Sequence, residues 1–310
     1  MTNGGNMDEG IDVPGVPGRV RSVEEFQRLV ESTGTSQSLL HLLESHIDLS
    51  EAHFTGSLIN GFGNLGSDID VFVISDRESS PPRHWYWAEG RRHIDLVSVS
   101  LPDLMSTLQS LEQGDLYDPH WKPKNYFPYP VLDRLHRFRI AVALIEPDKL
   151  ASLKGSADHA LPTYLAVANY RDACAHWQDM AGAAASADMP QALICAELIA
   201  KKLLAAIAAL GGETATHEKW LAKNVARMRG PGRDVARPLD QLRRRLAHGD
   251  TEQFSAVEEE LEHGMFAVSQ FLCRAAVGTA RILPFNPLSR VHLTPSNEER
   301  RIVFPDSLGA

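Results

Sequence analysis

Two aspartates one residue apart, Asp68 and Asp70, open an apolar run at 69–74, and a glycine–serine pair, Gly56-Ser57, precedes them by a ten-residue spacer. Short runs rich in β-branched and aromatic residues read as buried strands, which ordinarily exclude charge. On a strand, residues two apart project to the same side, so a strand continuing through Asp68 sets both carboxylates on one face. Carboxylates held that close repel each other unless one takes a proton or a cation lies between them. A hard divalent cation is the natural solution, since Mg²⁺ is commonly held by one or two carboxylates together with substrate phosphates. A third acid, Asp95, lies within HIDLVSVS at 93–100. If that strand lies beside 69–74, Asp95 completes a three-carboxylate cluster. At the other end, a glycine where a strand stops allows close backbone approach, and the Ser57 hydroxyl with exposed N–H groups suits phosphate oxygens. The competing reading makes Asp68 a cap or turn residue and Asp70 an edge-strand charge that blocks aggregation.

Gly56-Ser57, the spacer, then Ser67-Asp68-Ile69-Asp70-Val71 and a later strand acid at Asp95 together resemble the signature of the polymerase-β-like nucleotidyltransferase superfamily. The resemblance covers about residues 36–110, and its glycine, serine, both aspartates and flanking apolar residues all match. It implies an α+β fold, a small mixed sheet with flanking helices, followed by a helical bundle domain. It implies Mg²⁺ on Asp68 and Asp70, with Asp95 holding a second metal ion or acting as base on the attacking hydroxyl. Gly56, Ser57 and Ser67 would lie in the site for a nucleoside triphosphate, ATP being the first choice. The implied reaction is in-line attack of an acceptor hydroxyl on the α-phosphorus with release of pyrophosphate, which two metal ions about 3.5–4 Å apart would assist.

The elements that must position these residues can be read from the pattern. Residues 1–20, rich in Gly, Pro and Asp, read as a disordered tail. Ser22 to Glu25 form a capping box opening a helix with Phe26, Leu29 and Val30. A second helix is expected over 36–46, strands at 52–55, 69–74, 85–87 and 93–100, and a helix from Leu101 to about Leu111. Residues 114–130 have no helical or strand period and read as a long loop, either functional or a covering strap. The catalytic domain is placed at 21–130. Helices are expected at 131–146, 161–183, 190–210, 216–229, 237–247 and 252–280, giving a helical domain at 131–284, with an irregular tail at 285–310. IVF at 302–304 reads as a strand or strap.

A short catalytic domain followed by helices is similar to the arrangement of aminoglycoside nucleotidyltransferases, in some of which an acid from the helical part is the base. Asp172 and Glu197 are acids in apolar helices, and the favoured reading of each is a helix-surface or inter-helix polar contact. Lys201, with Lys202, is a candidate for the triphosphate on the same resemblance, against a solvated pair on an amphipathic helix. His217-Glu218 is no zinc motif, because Leu221 stands where a second histidine would be needed. The cluster Arg243-Arg244-Arg245 reads as a solvated face, with contact to phosphate or RNA as the rival. Trp85, Trp87, Trp121 and Tyr126 read as core before base-stacking platforms.

The net charge of −9 argues against a large nucleic-acid footprint, which needs clustered Lys and Arg. It favours a small-molecule acceptor such as an aminoglycoside, while a protein or tRNA acceptor and a non-catalytic binding module stay open. Three cysteines, Cys174, Cys195 and Cys273, without a C-x-x-C pair, read as buried reduced thiols of a cytoplasmic protein. No apolar run approaches roughly 18 residues, so no membrane span is expected, and the N-terminus lacks the basic start and apolar core of a signal peptide.

Overall fold

A computed structural model describes residues 19–20, 22–31, 43–44, 47–64, 66–75, 83–89, 92–113, 127–145, 147–249 and 253–276. The expected tails at 1–18 and 285–310, most of the helix over 36–46, the loop at 114–126, and the side chains of Trp85, Trp87, Trp121, Tyr126 and Cys273 lie outside the described residues.

The first helix, α1 (Val23–Glu31), begins where its capping residue predicts: the Ser22 hydroxyl accepts from the Glu25 N–H at 3.2 Å. Its buried Phe26 stacks on Phe54 with ring centroids 4.0 Å apart. Phe54 belongs to β1 (Ala52–Thr55), which runs directly into the single-turn helix α2 (Gly56–Ile59). The remaining strands are β2 (Ile69–Ser75), β3 (Arg83–Glu89), β4 (Arg92–Ser100) and the two-residue β5 (Val142–Ala143). They form a five-stranded mixed sheet in the order β3-β4-β2-β1-β5. β2 and β4 are parallel; β1 runs antiparallel to both β2 and β5, and β3 antiparallel to β4. Two further helices, α3 (Leu101–Gln113) and α4 (Tyr129–Ile140), flank it in sequence.

Alternation along the central strands divides their side chains between two faces. Ile69, Val71 and Val73 of β2 join Ile94 and Leu96 of β4, with Phe26, Phe54, Leu58 and Ile140, in one hydrophobic core. Asp70, Phe72 and Ile74 therefore share the opposite face with Asp95, Val97 and Val99. Both faces are buried over most of their length, which is why β2 is apolar almost throughout.

Within the described residues two compact units form, one within Met1–Gly114, Phe127–Leu161 and Ala215–Arg227, the other within Pro162–Thr214 and Met228–Ala310. Residues 127–161 and 215–227 thus fall in the same unit as the sheet. α4 and β5 belong to the first unit because β5 pairs with β1. The helix expected from 161 begins much earlier: α5 spans Pro147–Ala185 and runs through Pro162, where the sequence rule places a stop.

In the second unit, α6 (Met189–Leu210) is capped by Asp188, whose carboxylate accepts from the Gln191 N–H at 3.2 Å. It buries Ala192, Cys195, Ala196, Ile199, Ala200, Leu203, Leu204 and Ile207, a stripe at three- and four-residue spacing. It packs against α8 (Pro231–Ala247) and α9 (Phe254–Ala276). A Cβ on Gly264 would lie 2.7 Å from Leu239 and 3.2 Å from Leu203, so the absence of a side chain sets the close approach of these helices. Cys174 and Cys195 are buried free thiols, and burial pushes the Cys174 thiol up to about 12. No helix among the described residues is long and apolar enough to cross a membrane.

The residues preceding the last unit boundary also differ from expectation. In place of one helix over 216–229, a 3₁₀ turn at Glu218–Trp220 leads into α7 (Leu221–Arg227).

His136 on α4 is buried, and its pKa is held down at about 3, first by burial and then by the charges of Arg19, Arg139 and Arg137. A histidine neutral in the native state takes up a proton when the chain unfolds below about pH 6.5. Its contribution is thus intact above that pH and is lost as pH falls, by about 1.4 kcal/mol per pH unit between pH 6 and 4. Denaturant titrations across that range should show a shallower pH slope for His136→Gln than for the wild-type chain; equal slopes would contradict the neutral assignment.

Candidate active site

The parallel pairing of β2 with β4 sets Asp70 directly beside Asp95. On its other side Asp70 is the register partner of Thr55, the last residue of β1. The chain then turns at Gly56, whose φ of +76° is unfavourable for any residue with a side chain. A Cβ there would fall 1.9 Å from Asp70 Oδ2 and 2.3 Å from its Cγ. The two ends of the sequence motif are thus in contact: the Asp70 carboxylate lies on the bare backbone of Gly56.

Beyond Gly56 the loop closes on itself. The N–H groups of Phe62 and Gly63 both donate to the Ser57 carbonyl at 2.8 Å. A distant segment braces it. Arg227 donates to the side-chain and main-chain oxygens of Asn60 and lies 4.0 Å over the Phe62 ring. Lys223 donates to the Phe62 carbonyl at 2.5 Å. The Ser67 hydroxyl accepts from the Asn64 N–H at 2.9 Å, closing the turn that delivers the chain into β2.

Charge at the centre is governed by an ion pair. Arg137 on α4 donates from Nη1 to Asp70 Oδ1 at 2.7 Å and from Nε to Asp133 Oδ2 at 2.9 Å. Its carbonyl accepts from the Thr55 hydroxyl at 2.7 Å. With 12 % of the Asp70 side chain and 21 % of the Arg137 side chain exposed, this is a largely desolvated pair, unlike exposed surface pairs of small net effect. Burial pushes the Asp70 carboxyl up; the Arg137 charge draws it back, and the nearby Asp95 and Asp68 charges raise it again, leaving it at about 6. Burial disfavours the charge on Arg137 as well, but Asp70 and Asp133 outweigh it and raise the guanidinium further above its ordinary range.

Asp70, Asp95 and Gly56 are therefore brought together. Asp68 stands one residue before β2 and is exposed, not within the strand. Ser57 is half-buried in α2, next to Gly56. Lys201 lies in the second unit with its ammonium 2.9 Å from Glu197 Oε1, and Lys202 is 2.8 Å from Asp172 Oδ2, so both acids make the polar contacts expected of them. Arg243 and Arg244 pair with Asp240, and Arg245 with Glu260.

For the implied metal, the donor set is suitable: two carboxylates side by side offer hard oxygen ligands, and Mg²⁺ needs no more than one or two beside substrate phosphates. The larger cluster is not preassembled. Among the described residues no group of three or more His, Cys, Asp or Glu is placed to hold a metal ion. Asp68 ends outside the strand, and a guanidinium lies against Asp70.

Arg137, Asp133, Lys223 and Arg227 are absent from the sequence-derived site. The i,i+4 spacing of Asp133 and Arg137 marks a helical ion pair, but nothing local shows that this helix docks beside β1.

No family model matches the chain, and no curated protein matches it. Among solved structures, the chain is similar to a nucleotidyltransferase-like protein from Exiguobacterium sibiricum 255-15, with a TM-score of 0.41 and 10 % identity, covering 82 % of this chain and 78 % of that one. A likeness of that extent assigns neither family nor activity, and the functional reading rests on the site's own geometry and motif.

Gly56→Ala should be costly twice over, through the left-handed backbone and through collision with Asp70, by about 2–4 kcal/mol. Gly249 also has a positive φ, +70°, but nothing lies within 4 Å of its would-be Cβ. Gly249→Ala should therefore cost only the backbone strain, about 1–2 kcal/mol. Denaturant titration of the two variants compares them, and equal losses would mean that the Asp70 carboxylate does not rest on Gly56.

Proposed function

We propose that the protein is a Mg²⁺-dependent nucleotidyltransferase that moves a nucleoside monophosphate from a triphosphate, ATP foremost, to the hydroxyl of a small molecule. The observation that carries this reading is the placement of Asp70 beside Asp95 on neighbouring parallel strands, with Gly56 beneath the Asp70 carboxylate. The motif alone offers spacing; side-by-side carboxylates against a bare glycine backbone are the arrangement that spacing would serve.

Divalent metal bound at the carboxylates would lower the pKa of the attacking hydroxyl and offset charge on the departing pyrophosphate. Asp70 and Asp95 would be its principal ligands, with Asp68, exposed at the mouth of β2, as a further oxygen ligand. Asp95 is half-buried and would accept the proton that the acceptor hydroxyl gives up on attack at the α-phosphorus. Ser57 and the backbone around Gly56 would meet the β- and γ-phosphates. Ser67 would act through the turn it closes, holding Asp68 and Asp70 in register with the loop. Lys201 carries no weight here, because its ammonium is held by Glu197.

A small-molecule acceptor is preferred to RNA on one observation. The arginine cluster at 243–245, the strongest candidate for a nucleic-acid contact, is engaged by Asp240 and Glu260 within its own unit.

The test is incubation with each α-labelled triphosphate, Mg²⁺ and cell extract, followed by identification of the labelled product. Asp70→Asn and Asp95→Asn should each reduce transfer by at least about 10³-fold while circular dichroism shows the fold retained. Label on protein or tRNA would change the acceptor class. Absence of pyrophosphate release with every triphosphate would favour a binding module without catalysis.

A further inference from the structure

We propose that Arg137 is a resident counter-cation for Asp70: its guanidinium neutralises the buried carboxylate while no divalent ion is bound, and must release Oδ1 before a metal ion can share Asp70 with Asp95. The inference rests on the metal-dependent reading above and concerns how the site is held before the metal arrives.

Three features argue for a counter-cation that can let go. First, the pair is built into the sheet. The Arg137 carbonyl is tied to Thr55, and Thr55 is the register partner of Asp70, so the guanidinium is carried to one carboxylate oxygen by the same strand pairing that positions the acid. Second, an arginine stays charged at any accessible pH, so it cannot relieve the pair by losing a proton and must move instead. Third, the guanidinium has a second resting place. Asp133 lies one helical turn earlier and already accepts from Nε, so release of Asp70 leaves Arg137 paired rather than stranded. A divalent ion approaching Asp70 thus meets a carboxylate already satisfied at Oδ1, and its affinity is reduced by the exchange.

Mn²⁺ binding followed by electron paramagnetic resonance reads this out without turnover. The wild-type chain, Arg137→Met, Arg137→Lys and Asp70→Asn are compared at one pH. At about pH 8.5, where protons compete least for Asp70, Arg137→Met should bind Mn²⁺ on the order of tenfold more tightly than wild type, as expected when an opposing charge is removed from the site. Arg137→Lys, which keeps the charge, should stay close to wild type, and Asp70→Asn should lose the ion. Unchanged or weaker binding in a folded Arg137→Met would overturn the proposal while leaving the metal-dependent function standing. Absence of Mn²⁺ binding in wild type and Arg137→Met alike would instead overturn the metal reading and this inference with it.

Should Arg137→Met not fold, the wild-type protein labelled at arginine nitrogen carries the test. The Arg137 Nη–H resonances, assigned by their loss in Arg137→Lys, should shift on titration with Mg²⁺ as Nη1 leaves Asp70. A resonance that stays in place while the ion binds would count against the exchange as decisively as an unchanged affinity.

Discussion

A carboxylate cannot be buried in a sheet as an anion without a cation close by, and Asp70 imposes that constraint on the whole first unit. Burial and two neighbouring acids push its carboxyl up; one guanidinium holds it back. The requirement reaches far along the chain. It takes Thr55 to tether the arginine's backbone, Asp133 to hold its other nitrogen, and β5 beyond the helix to lock that helix against the sheet. Gly56 answers the same constraint from below, because any side chain there would displace the carboxylate.

The sheet can accommodate this because its two faces do different work. One face, Ile69, Val71 and Val73 with Ile94 and Leu96, packs with Phe26, Phe54 and Ile140 into a continuous apolar core. The opposite face is apolar at Phe72, Ile74, Val97 and Val99 but carries Asp70 and Asp95 where the two parallel strands begin to pair. A one-residue slip in the pairing would separate these acids and turn one strand's charge into the core. The apolar stripe on one face therefore holds the two acids to the other, so packing energy specifies the side of the sheet on which the charged site forms.

Much of this is legible where the signal is local. β-branched and aromatic content locates β2, β4 reads as a strand in the same way, and the capping residue Ser22 marks a helix start that the structure uses. That Asp95 joins Asp70 is legible only on the condition that the two strands are neighbours; their register is not, since a slip of two residues keeps both stripes on their faces. Asp68 is harder: β2 starts at Ile69, where the pattern sets it, so Asp68 stands outside the ladder that would hold it beside Asp70. Pro162 lies within helix α5, although a proline ordinarily opens a helix or ends one. Arg137 cannot be read at all: its spacing to Asp133 describes a helix, but its pairing with Asp70 spans 67 residues of chain.

The same distance separates in sequence the segments that meet in the first unit. Strands of two residues carry no periodicity, so β5 is silent in the sequence, yet it is what returns α4 to the sheet as neighbour of β1. Residues 215–227 return likewise, bringing Arg227 and Lys223 to the loop beyond Ser57. A unit ending near residue 130 would keep the three motif acids but leave Asp70 buried beside Asp95 without a guanidinium and β1 with an open edge. The motif supplies the acids, and the later segments supply the charge balance and bracing that allow those acids to be buried. What looks in sequence like a catalytic domain followed by an appendage is, in electrostatic terms, one unit that closes only when the chain comes back.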